Sequence, residues 1–183
     1  MITAMRKMTS KDAADKFWQF SLEVYARPQV ADLCLVLQDE HGFDVNILLL
    51  CLWLARGEGR ALSQFEIGDL LSGVAALNEN MVWPVRGARR WAKSWLQQAP
   101  DLQAVAAREK LYTSLKASEL QMERQIQIEL VRCLAYDGQQ QGQPLDLSTQ
   151  FTARLSLEAY RAAIAAPEGT AALLTRLALK ALT

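Results

Sequence analysis

Residues 43–56, FDVNILLLCLWLAR, form the most apolar run in the chain, and between Val45 and Ala55 only Asn46 is polar. A helix without a polar side has to be covered on every side. The run is too short for a bilayer, which takes about 20 apolar residues. It therefore predicts a central helix with the other helices packed round it. Asp44 is placed to accept from the free backbone N–H groups at its start, and Phe43 to close over Leu48. The Gly57-Glu58-Gly59 turn ends it.

The remaining elements are periodic at helical spacing and punctuated by glycine and proline, with no convincing strand alternation and no repeat. A first helix is expected over about 10–27, with Ser10 as N-cap and Pro28 as its stop, and a second over about 29–39. A fourth opens at Ser63-x-x-Glu66, a capping box with Leu62 and Ile67 as staple. A fifth covers about 84–98 and the longest about 101–136, closed by Asp137-Gly138. These make an all-α, single-domain helical bundle: a core over 10–136, a polar linker over 137–144, and an Ala- and Leu-rich helical tail over 145–183.

Within 183 residues, 20 acidic side chains balance 20 basic ones. Gross electrostatic attraction to nucleic acid or membrane is thereby excluded, and any such contact needs a local patch. The start, MITAMRKMTSKDAADKFW, lacks an apolar stretch of signal-peptide length and points to the cytoplasm. Cys34, Cys51 and Cys133 fall in apolar helical patterns and read as free core thiols. One histidine and no CxxC leave no basis for a structural zinc site, and no cofactor or metal is implied.

Chemistry is suggested at three places. On the longest helix, at about 100° per residue, Leu111, Leu115, Met122, Ile126, Leu130 and Cys133 gather on one arc. Glu119 falls inside that arc and Glu123 at its edge. A carboxylate on a core-facing stripe costs several kcal/mol unless it is paired or hydrogen-bonded. The partners expected are Arg86, Arg89 and Arg90 on the preceding helix, returned antiparallel by a short turn, since guanidinium can meet carboxylate bidentately. The pairing reads first as an ion pair fixing helix register, and second as a polar pocket. The second place is the loop Asp39, Glu40, His41, Asp44 with Asn46 beside it, whose carboxylates and imidazole suit acid–base work or a divalent cation. Helix capping and solvation account for the same residues, and the Glu-x-x-His motif of bundle metal sites is missing. The third is the row Arg86, Arg89, Arg90 and Lys93 at i, i+3, i+4 and i+7. Opposite it stand Val85, Ala88, Ala92, Trp95 and Leu96, and Trp91 and Trp95 lie nearby for stacking on a polyanion such as RNA. Nucleotide-binding glycine motifs are absent.

The blocks FWxFSLxVY, LQDxxGxDVNxLL and CxWLA, followed by VRGARRWAK and LYxxLKxxELxxER, resemble a small bacterial family of helical proteins of unknown function. The resemblance covers roughly 15–136 and leaves out the tail. It implies a helical cytosolic protein and carries over no functional residue. Residues and resemblance together predict an interaction or adaptor module in preference to an enzyme, with a protein partner engaged through 145–183 and no membrane contact. A small enzyme or ligand-binding protein at Glu119, Glu123 and the Arg86–Arg90 face, with Asp44 and Asn46, is the alternative. An RNA- or ribosome-associated factor using residues 86–93 is the other.

Overall fold

The computed structural model describes residues 9–134 and 148–183. Every regular element among them is helical. In order they are α1 (Ser10–Tyr25), α2 (Val30–His41), α3 (Val45–Glu58), α4 (Gln64–Leu77), α5 (Trp83–Gln97), α6 (Leu102–Cys133), α7 (Thr149–Ala163) and α8 (Ala171–Leu182). A five-residue π turn, Asn78–Val82, joins α4 to α5, and a short 3₁₀ turn precedes α8. The end expected at 136 and the linker over 137–144 lie outside the described residues.

Local chemistry sets most boundaries. Thr9, one residue before the expected Ser10, caps α1 in a reciprocal box with Asp12. The chain turns after Pro28 through Gln29, whose φ of 69° is left-handed. Asp44 caps α3 by accepting from the Asn46 N–H at 2.8 Å, and Gly59 ends that helix at a φ of 60°. Ser63 and Glu66 form the capping box of α4. Asp101 caps α6 through the Ala104 N–H.

The apolar run lies at the centre. Residues 46–52, Leu54 and Ala55 of α3 are all buried, and α1, α2, α6, α7 and α8 pack against it. The tail belongs to the same core: Ala153, Leu157 and Tyr160 of α7, and Leu174, Leu177 and Ala181 of α8, are buried with Ile47 and Leu50. Arg27 donates to the Ala181 carbonyl at 2.7 Å and ties the end of α8 to the α1–α2 turn.

Two expected faces are redistributed. The buried side chains of α6 all fall at Ile126 or beyond, and Leu111 is exposed. At 32 residues, roughly 48 Å, α6 outruns the core, and α5 flanks its first half. Cys133, expected in the core, is exposed. The cations of α5 do not share one solvent face: Arg86 and Arg89 turn to α6 with the buried Ala92, while Arg90, Lys93 and Ala88 are exposed.

Proline explains the π turn. Pro84 has no N–H for the Asn80 carbonyl, and its ring would strike that carbonyl in a regular helix. The backbone widens instead, and the Trp83 N–H donates to the Asn78 carbonyl five residues back. Asn80 Nδ2 adds a donor to the Ala76 carbonyl at 2.7 Å. The helical path thus runs on from α4 into α5 without a break.

Candidate functional site

Polar side chains of α1, α3, α5 and α6 form one connected network between the helices. Ser21 on α1 donates to the Phe17 carbonyl at 2.8 Å and accepts from Gln127 Nε2 at 3.0 Å. Gln127 Nε2 also donates to Asn46 Oδ1 at 3.0 Å. Asn46 Nδ2 donates to Glu123 Oε2, and Arg86 Nη2 donates to Glu123 Oε1. Arg86 Nε reaches Glu119 Oε1 at 3.0 Å, and Arg89 Nε donates to Glu119 Oε2. The one polar residue of the apolar rod is therefore joined to the two misplaced acids and their arginines.

The two acids differ electrostatically. Burial raises the pKa of Glu119, but hydrogen bonds and charge from Arg89 and Arg86 outweigh it, and the carboxyl rests below the usual range. Deeper burial of Glu123 outweighs Arg86 and Asn46, and its pKa is raised. Two guanidinium groups and two carboxylates neutralise each other here, which limits the desolvation cost of holding them between helices.

A cleft of about 560 Å³ opens on the other side of Arg86. Its floor holds Phe43, Tyr160, Leu71 and Ala75; its polar lining includes Asp39, Asp44, Asn78, Arg86 and Arg90; Trp83 stands at its edge. Asp44 is fixed twice over. Its Oδ1 accepts from the Asn46 N–H, and its Oδ2 accepts from Asn78 Nδ2 at 2.8 Å. The Asp44 N–H donates to the Tyr160 hydroxyl at 2.6 Å. Tyr160 is fully buried, packs edge-on to Phe43, and its pKa lies well above 10.0 because of that burial. The π turn aims Asn78 at Asp44. Arg90 pairs with Asp39 at 2.6 Å across the exposed rim.

The singled-out residues thus divide. Asp44, Asn46, Glu119, Glu123, Arg86 and Arg89 come together in one network. Arg90 joins the cleft rim with Asp39, and Lys93 is exposed away from the network. Glu40 is exposed and His41 half-buried at the end of α2. Among the described residues no group of three or more His, Cys, Asp or Glu is placed to hold a metal ion. No helix among them is long and apolar enough to cross a membrane.

Sequence reasoning passed over Gln127, Asn78, Tyr160, Ser21 and Trp83. Gln127 carried a signal, since a polar residue beside Ile126 on the buried arc needs a hydrogen-bond partner as Glu119 does. Asn78 lies between two periodic segments, where a polar residue carries no sign of a buried partner. The partners of Tyr160 and Ser21 lie 116 and 106 residues away in the chain, and no local pattern announces them.

No curated protein and no solved structure matches the chain. A family model described as "Protein of unknown function (DUF2390)" matches residues 16–130. That span runs from α1 to near the end of α6 and takes in the whole polar network, while Tyr160 of the cleft falls beyond it. The chain belongs to the DUF2390 family, whose function is unknown.

Proposed function

We propose that the protein is a binding module that takes a small polar ligand into the cleft between α2, α4 and α5. The observation that carries this reading is the preset Arg86 at the cleft wall, held by Glu119 and Glu123 from behind. Ligand sites characteristically combine a mostly apolar concavity with a few fixed polar groups, and Phe43, Leu71 and Ala75 beside Asp44, Asn78 and Arg86 supply that combination. Binding is favoured over catalysis by the state of the nearby groups. Burial keeps Tyr160 protonated, so it offers no anionic nucleophile near neutrality.

Gly87 provides the test. It lines the cleft, and a Cβ there meets nothing within 4 Å. Gly87→Leu would put a bulky side chain into the cleft beside Arg86 and improve helix propensity. In a thermal-shift screen of small polar metabolites, compounds that raise the Tm of the natural protein are expected to lose that effect in the variant. Equal shifts in both proteins, or no shift with any compound, would count against the reading.

A protein-interaction role has its own supporting observation. Trp91 and Leu102 are 63% and 87% exposed on the α5–α6 hairpin, and Trp91 stacks on Trp95 with ring centroids 5.4 Å apart. The apolar face of α8 is occupied by α2 and α7, so this reading places the partner on the hairpin instead of residues 145–183. A pull-down with Trp91→Ala/Leu102→Ser that retains the same partners would argue against it. The polyanion reading gains less support, because Arg86, Arg89 and Arg90 all meet carboxylates.

A further inference from the structure

The charges around the cleft indicate what it would hold. Arg86 and Arg89 are balanced by Glu119 and Glu123, and Arg90 by Asp39. Asp44 remains on the floor, half-buried, with neutral partners in Asn78 and the start of α3. A ligand cation is therefore the complement of the floor, and the half-exposed ring of Trp83 is compatible with an ammonium group. The α5 wall offers the opposite chemistry. Nε and Nη2 of Arg86 are committed to the two glutamates, while Nη1 makes no hydrogen bond among the described residues. Arg90 stands one helical turn further along, and its pair with Asp39 is half exposed and weak enough to exchange. Two guanidinium groups at i and i+4 suit a carboxylate.

We infer that the cleft takes a small zwitterion of the α-amino acid type, its ammonium group at Asp44 and its carboxylate against Arg86 Nη1 and Arg90. An apolar side chain would lie on Leu71 and Ala75 beside Trp83. This assignment rests on the cleft being the binding site. A simple anion would meet the uncompensated Asp44, and a simple cation would leave the α5 donors unmet. A zwitterion satisfies both and adds no net charge.

The test is calorimetric titration of the full chain with L-phenylalanine, N-acetyl-L-phenylalanine and L-phenylalaninamide. The free amino acid is expected to bind at least tenfold more tightly than either blocked form. Asp44→Asn keeps a competent N-cap and Arg90→Gln changes an exposed side chain; each is expected to weaken L-phenylalanine binding at least tenfold. Blocked forms that bind as tightly, affinity unchanged in both variants, or no binding of any of the three overturns the zwitterion assignment. In each of those cases the Gly87→Leu screen still decides whether the cleft binds anything.

Discussion

Glu119 is the residue on which the α5–α6 contact turns. It accepts from both Arg86 and Arg89, so removing its charge leaves two guanidinium groups partly unmatched between the helices. Glu119→Gln is expected to lower stability by about 1–3 kcal/mol, read as a reduced urea midpoint at unchanged m. Glu123 behaves oppositely with pH. Its raised pKa means that the folded chain takes up this proton before the unfolded chain does, near about 4.3. The carboxylate thus costs stability above the folded pKa, and acidification returns it. On going from neutral pH toward about 4.3, the stability difference between natural protein and Glu123→Gln is expected to move in favour of the natural protein. Glu119, with its lowered pKa, contributes stability above the unfolded value and loses it as pH falls further. Urea titrations of both variants from neutral pH to well below that value check the two signs; a flat difference for Glu123→Gln between neutral pH and about 4.3 would contradict its burial.

At the scale of elements, α6 shows what sequence reveals and what it hides. Glu119 stood out because hydrophobic periodicity is local, and Ser63 with Glu66 was legible because both lie in one turn. The same arc misplaced Leu111 and Cys133, since periodicity says which residues share a face and not where neighbouring helices end. The π turn was unreadable for a related reason: Pro84 announces a disturbed helix but leaves open whether the chain breaks or widens. Asn78 meets Asp44 only because it widens. Packing near the end of α6 gives a further check. A Cβ on Gly73 of α4 would press into the Cys133 sulfur. Gly73→Ala should therefore gain little alone, whereas with Cys133→Ala it should add about 1 kcal/mol of helix propensity. Additive effects in that double-mutant cycle would contradict the packing.

For the whole molecule, α7 and α8 complete the core round α3 and do not form a detachable appendage. A chain ending at residue 147 would lose Leu157, Tyr160, Leu174 and Leu177 from the buried set, and with them the Tyr160 hydroxyl that holds the Asp44 N–H. Such a chain is expected to lose its cooperative thermal transition; a sharp transition near the natural Tm would show that residues 9–134 stand alone. The cleft draws on the same integration, with walls from α2, α4, α5 and α7 meeting at the start of α3. Its most direct test is a 1H–15N NMR titration of the full chain with L-phenylalanine. Shift changes concentrated at the Gly42 and Gly87 amides, the Asn78 side-chain amide and the Trp83 indole are the expected result. Changes spread over the Trp91–Leu102 hairpin, or none at all, would contradict a ligand site in the cleft.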